Sequence, residues 1–245
     1  MNTSGRLDAD WPAPPGVRAF ATTREGGAGT GAFHSFNLSY RVGDDAATVD
    51  ANRRRLGTWL PAEPRWLRQV HGNRVVDAAS VTDPVDADAA VTRECGVVCT
   101  ISIADCLPVL FCDRAGSVVA AAHAGWRGLS GGVLENTVAA MNCKASDVMA
   151  WLGPGIGPTA FEVGEDVYAA FVQPEPQAAD AFQPHATGKW LCDLFALARL
   201  RLGRLGVTAI HGGGHCTYRD AGRFFSYRRD RTTGRMAAFV WLENT

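Results

Sequence analysis

The sequence predicts a single α/β or α+β domain, and three observations carry that expectation. A chain of 245 residues with 47% hydrophobic and 20% charged residues is ordinary globular material, long enough to bury roughly 70–75% of its unfolded surface. Short apolar runs of strand character alternate with stretches of helical periodicity along its length. No internal repeat, low-complexity tract or linker divides it.

The elements follow in order. Residues 1–16, rich in proline and acid, read as a flexible N-terminal segment. Residues 17–23 alternate like a strand and run into a loop at the glycine-rich residues 26–31. Asp44 or Asp45 can cap a helix over residues 46–60, where Val49, Leu56 and Leu60 recur at helical spacing. Strands are expected at residues 66–70 and 74–78. The most apolar stretch, residues 96–103, 107–112 and 117–123, reads as a buried sheet with a hairpin turning at Asp113-Arg114-Ala115-Gly116. Residues 133–141 predict a helix and residues 148–152 a strand. Helices are expected at 165–172 and at 193–205, the second stopped by Gly206 before a strand at 207–210. A final hairpin is expected to join residues 223–228 to 235–242.

Charge and targeting signals narrow the function. With 24 Lys+Arg against 25 Asp+Glu the formal net charge is −1, which gives no footprint for nucleic acid or an anionic membrane. The longest apolar stretch, residues 96–112, is broken by Asp105 and is shorter than the roughly 20 residues of a membrane span. The N-terminus lacks the basic flank and apolar run of a secretory signal, so a cytoplasmic location is expected. Seven cysteines are an odd number in a chain able to build its own core, and no disulfide framework is required.

Two patterns match hydrolase motifs literally but not in context. Gly128-Leu129-Ser130-Gly131-Gly132 fits G-x-S-x-G and His211-Gly212-Gly213-Gly214 fits the oxyanion element of esterases. Their order is the reverse of that fold's, and a chain with 27 glycines generates such matches. The stronger constellation spans three expected strand ends: Gln69-Val70-His71, Asp105-Cys106-Leu107-Pro108 and His123-Ala124-Gly125-Trp126-Arg127. One hairpin length separates Cys106 from His123, so adjacent strands would bring them together. A thiolate with two imidazoles suits zinc or copper and leaves a coordination position open. Core packing or capping is the alternative for each, since a lone buried cysteine is usually inert.

These residues resemble the serial motifs of the YfiH-like family: Gln69-Val70-His71-Gly72, Ala104-Asp105-Cys106-Leu107-Pro108, Ala122-His123-Ala124-Gly125-Trp126-Arg127-Gly128, Gly153-Pro154-Gly155-Ile156-Gly157-Pro158 and Phe225-Ser226-Tyr227-Arg228-Arg229. The resemblance begins near Thr22-Thr23-Arg24, takes in Ser35-Phe36-Asn37-Leu38 and Val42-Gly43-Asp44-Asp45, and runs to Gly234-Arg235-Met236-Ala237-Ala238. Members of the family have been labelled polyphenol oxidase or laccase, purine nucleoside phosphorylase, and peptidoglycan editing factor. The resemblance implies one catalytic domain over residues 17–245, an α/β fold built as a layered sandwich with mixed sheets, similar to the deamidase domain of cytotoxic necrotizing factor. It also implies zinc ligation by His71, Cys106 and His123, with copper as the other ion. The toxin's Cys–His pair implies instead that Cys106 and His123 serve as nucleophile and base. Ile103 departs from the small polar residue expected before Ala-Asp-Cys.

The laccase label fits the residues poorly, because none of the six histidines forms the paired His-x-His of multicopper oxidases. The activity the resemblance implies is phosphorolysis of adenosine, inosine and methylthioadenosine, with adenosine deamination. Its partners would be purine nucleosides and phosphate, with no nucleic acid or membrane, acting on a monomer or weak homodimer. Phosphate needs cationic donors, and Arg41 and Arg127 are the candidates, each otherwise a surface charge. Asn37 is a candidate for a ribose hydroxyl or base edge, and Gln69 would share a strand face with His71. Trp126 can stack on a purine or pack in the core. Arg228 and Arg229, as strand neighbours, would face opposite ways. The alternatives are a metal-independent Cys–His amide hydrolase acting on a cytoplasmic peptidoglycan precursor, and a binding protein with a structural metal.

Overall fold

A computed structural model describes residues 5–243. The strands are β1 Arg6–Asp8, β2 Val17–Thr22, β3 Val75–Asp77, β4 Ala89–Thr92, β5 Cys99–Ile103, β6 Leu107–Asp113, β7 Val119–Ala124, β8 Val148–Leu152, β9 Glu162–Gly164, β10 Phe182–Pro184, β11 Lys189–Cys192, β12 Ala209–Gly212 and β13 Met236–Leu242. The α-helices are α1 Ala46–Gly57, α2 Trp126–Ser130, α3 Val133–Ala140, α4 Glu165–Val172, α5 Leu194–Arg204 and α6 Tyr227–Asp230.

Two mixed or antiparallel sheets lie face to face. One has the order β1-β2-β13-β5, the other β12-β8-β6-β7-β4-β3, and a small β10-β11-β9 sheet stands apart. Period-two alternation sorts the layers. In β13, Met236, Ala238, Val240 and Leu242 join the core between the sheets, whereas Ala237, Phe239 and Trp241 pack outward with Leu56 of α1. In β6, Leu110 and Cys112 face that inter-sheet core, while Val109 and Phe111 face a third core under α3 and α5. The result is a four-layer sandwich, helix, sheet, sheet, helices, consistent with the α/β fold implied by the resemblance.

Local signals account for the helices that the sequence predicts. Asp45 caps α1 by accepting from Thr48 N, and Asp193 caps α5 by accepting from Phe195 N and Ala196 N, each worth about 1 kcal/mol. The β6–β7 hairpin pairs Pro108 with His123 as its expected turn requires.

Several expectations are corrected. Residues 66–70 do not form a strand; only single bridges, Arg65 to Cys99 and Arg68 to Asp86, tie this stretch to its neighbours. The reason is that the Gln69 amide takes the place of a backbone ladder, donating to Ser102 O at 2.9 Å and accepting from Ser102 N at 2.7 Å. No final hairpin forms either: the Ser226 hydroxyl accepts from Arg229 N and starts α6, so Arg228 and Arg229 are helical, and β13 pairs with β2 and β5. β5 does not share a sheet with β6. Part of the N-terminal segment expected to be flexible is built into the sheet, since Arg6–Asp8 pairs with β2 and Asp10 accepts from Trp151 Nε1 at 2.6 Å. Residues 1–4 of that segment lie outside the described residues.

Candidate functional site

The site forms where the chain crosses from one sheet to the other, between the end of β5 at Ile103 and the start of β6 at Leu107. Asp105 makes the turn at φ +95°, a conformation that must be held by its surroundings in a residue with a side chain. Its carboxylate accepts from Thr217 Oγ1 at 2.6 Å and from Arg228 N at 2.7 Å, and its carbonyl accepts from Ile156 N at 2.8 Å. Cys106 is thereby fixed at the layer junction.

One carboxylate holds both histidines beside it. His123, on β7, is 3% exposed; its backbone N–H donates to Asp88 O at 2.7 Å and its Nδ1 lies 2.8 Å from Asp88 Oδ1. That partner keeps the proton on Nδ1 and leaves Nε2 for the Cys106 side. The same carboxylate accepts from Val70 N, His71 N and Gly72 N at 3.1, 2.9 and 2.7 Å, which bends the chain so that His71, at φ +60°, aims at Cys106. His71 Nε2 is 3.8 Å from Cys106 Sγ. The ligand atoms of His71, Cys106 and His123 all lie within 4.8 Å of one another. A Cβ on Gly125 would stand 2.9 Å from the Cys106 sulfur and 3.2 Å from His71 Cδ2, so only glycine leaves this space open.

Electrostatics follow from that packing. Burial opposes ionisation of the Cys106 thiol, but the charge on His123 and the hydrogen bonds from both histidines outweigh it and bring the pKa down to about 6. Burial disfavours the imidazolium of His123, yet the Cys106 thiolate and the bond to Asp88 raise its pKa to about 9. Asp88 is held below the usual carboxylate range because His123 and the Gly72 and Val70 amides more than offset burial.

The three side chains open on a cavity of about 480 Å³ whose wall includes Ser39, Arg41, Gln69, Ser102, Tyr227 and Arg235. That wall carries two arginines and no acid. Arg235 is braced by Nη1 donating to Thr233 O and Gly234 O, both at 3.0 Å. Among the described residues, the Arg41 guanidinium has no hydrogen-bond or ion-pair partner. Tyr227 is 48% exposed over the opening.

The other residues singled out from the sequence fall in different places. Asn37 is fully buried and its amide is spent: Nδ2 donates to Ser39 O and Asp44 Oδ2, and Oδ1 accepts from Ser39 N and Arg235 N. The amide ties the loop bearing Arg41 to Arg235, the residue that leads into β13. Gln69 lines the cavity with its amide pinned to Ser102. Arg127 lies outside that wall, its guanidinium 4.3 Å over the Trp126 ring, and Trp126 packs against the helix-side core. Ser130 ends a helix and donates to Arg127 O, which is no nucleophile elbow.

A family model described as multi-copper polyphenol oxidoreductase laccase matches residues 18–243. The purine nucleoside phosphorylase PA4543 of Pseudomonas aeruginosa is 53% identical over 242 residues, covering 97% of this chain and 98% of that protein. The purine nucleoside phosphorylase YfiH of Escherichia coli is 50% identical over 237 residues, covering 95% and 96%. The chain belongs to the YfiH-like family. Solved YfiH-like structures agree: a Neisseria meningitidis protein superposes with a TM-score of 0.95 at 52% identity, covering 98% of this chain and all of that one. YlmD of Geobacillus stearothermophilus superposes at 0.92 and 33% identity, covering 100% and 98%. In this YfiH-like chain, among the described residues, one group of three side chains that could hold a metal ion is found.

Proposed function

We propose that the protein is a zinc-dependent purine nucleoside phosphorylase, converting adenosine, inosine and methylthioadenosine to free base and ribose 1-phosphate, with adenosine deamination as a second reaction. The observation that carries this reading is a cavity without acids, floored by His71, Cys106 and His123 and walled by two arginines; relatives about half identical are named purine nucleoside phosphorylases. About 480 Å³ is within the range of small-molecule sites.

The donor set of two imidazoles and one thiolate fits zinc, and copper second. Held there, zinc supplies Lewis acidity and an acidified water. The protein's own groups do the rest. Arg41 and Arg235 grip the phosphate, whose oxygen forms the bond to C1′ as the bond from C1′ to the purine nitrogen breaks. Tyr227 covers the base and excludes water. Asp88 keeps the His123 proton on Nδ1, so that Nε2 remains a ligand. In deamination, water adds to the purine carbon and ammonia leaves. The reading places the protein in the cytoplasm as a monomer or weak homodimer; no described helix is long and apolar enough to cross a membrane.

A second reading has its own observation: Cys106, His123 and Asp88 form a relay with a thiol of lowered pKa, the arrangement of a Cys–His amide hydrolase acting on a peptidoglycan precursor. Chelation separates the two. Adenine release that requires both phosphate and bound zinc, with ribose 1-phosphate formed in equal amount, supports the phosphorylase; amide hydrolysis that survives chelation supports the hydrolase. Polyphenol oxidation by several copper ions would need more donor groups than the one cluster found among the described residues offers.

A further inference from the structure

A second cavity, of about 390 Å³, adjoins the first and shares Ser39, Arg41, Leu67 and Ser102 with it. Its own wall adds Tyr40, Arg53, Trp66 and Arg68. Three arginines thus face one hollow without a single acid, in a chain whose net charge is −1. Together the joined cavities present Arg235, Arg41, Arg53 and Arg68 in one cleft, an arrangement that focuses positive potential on whatever enters.

Arg53 is built into place rather than waving on the surface. Its guanidinium lies 4.0 Å from the Trp66 ring centre and 4.4 Å from that of Tyr40, and its Nε donates to Leu38 O at 2.9 Å. The two rings hold the guanidinium in place as it lines the hollow. The acids near it, Asp50 bonded to Tyr40 Oη and Glu63 bonded to Trp66 Nε1, line a different hollow, which Arg53 also borders. Arg68 is paired with Asp86, which sets its orientation while Asp86 stays off the wall. Arg41 stands at the boundary, its guanidinium without a partner among the described residues.

We propose that this second cavity is a subsite for a phosphoryl group carried by the substrate, so that the cleft accepts nucleoside 5′-phosphates in addition to nucleosides. The inference rests on the nucleoside reading above. Two guanidinium forks and a third at the boundary match the oxygens of a phosphate ester better than any neutral substituent. The residues that read it would be Arg53 and Arg68, and Arg41 would lie between the two phosphoryl positions.

Calorimetric titration of the zinc-loaded full chain with adenosine and with adenosine 5′-monophosphate tests this. The expected result is roughly tenfold tighter binding of the monophosphate at low salt, a gap that narrows as salt is raised. Arg68→Gln, at a half-exposed position, and Arg53→Gln should each close most of the gap; the first keeps the test valid should the second not fold. Equal affinity for both ligands, or a gap untouched in Arg68→Gln, overturns the proposal. If inorganic phosphate tightens adenosine to the same degree and Arg68→Gln abolishes that effect, the hollow holds the free co-substrate and the proposal falls. A protein that turns over adenosine without any gap loses only this subsite, whereas one that binds neither ligand loses the nucleoside reading as well.

Discussion

A cysteine stands just before the first residue of strand β6 and another just before its last, and the two surroundings use the same parts to opposite effect. At the far end Cys112 is fully buried, and burial together with the neighbouring Asp113 charge pushes its thiol up to about 12. Asp113 there accepts from Ser117 N, Val118 N and Ser117 Oγ at 2.7, 3.1 and 2.6 Å and closes the hairpin to β7. At the near end Asp88 likewise gathers backbone amides, but the chain it gathers carries His71, and its remaining contact is His123. Burial acts on Cys106 as well and is overcome by those two rings. A carboxylate that collects N–H groups is therefore a structural clamp by default. It becomes part of a reactive site only where it delivers imidazoles to a thiol beside an open cavity.

The largest effect expected at the near end comes from its space. Gly125→Ala should lower zinc retention and turnover on the order of 10²-fold, because a Cβ displaces the sulfur and the His71 ring; Gly125 has φ −63°, so thermal melting should change little. The clamps can be broken separately. Asp88→Asn should weaken metal affinity about 10–100-fold, measured by competition with a chelator, while Asp113→Asn should leave metal and turnover alone and cost roughly 1–3 kcal/mol of stability.

Alkylation of the chelated protein followed by mass spectrometry sharpens the contrast further. A thiol whose folded pKa is depressed is ionised above that value, so Cys106 labelling should rise as pH climbs through about 6. The imidazolium of His123, raised to about 9, is lost only above that pH, so the ion pair is complete between the two values. Cys112 should stay unlabelled until the protein unfolds. The smallest effect belongs to Ser117→Ala, which should cost about 1 kcal/mol in denaturant melts and leave Cys106 labelling unchanged.

Much of this contrast is legible in the sequence, for identifiable reasons. The β6–β7 hairpin is local, and its turn residues announce it, so the approach of Cys106 to His123 follows from chain length alone. Helix caps at Asp45 and Asp193 are local as well. Asp88 is harder to read: Asp86 and Asp88 alternate with alanines and, two residues apart, would share a strand face, so no local pattern tells the buried Asp88 from the exposed Asp86. Arg235 reaches the cavity because it leads into β13, which pairs with β2 and β5 across most of the chain, and Tyr227 because the Arg228 amide beside it bonds to the distant Asp105; no spacing rule applies to either. Asn37 is ambiguous in sequence, where a buried amide that braces two segments looks like one offered to a ligand. The false strand at residues 66–70 has a related cause, a side-chain amide standing in for a ladder.

Under the proposed function the near end of β6 is a one-metal nucleoside site and the far end is not. The most direct measurement is metal content paired with phosphate-dependent adenine release for wild type, Cys106→Ala and Cys112→Ala. The account predicts about one zinc per chain and turnover in wild type and in Cys112→Ala, with both lost in Cys106→Ala. Full zinc and undiminished turnover in Cys106→Ala, or a wild type that binds no metal and leaves adenosine intact, would contradict it.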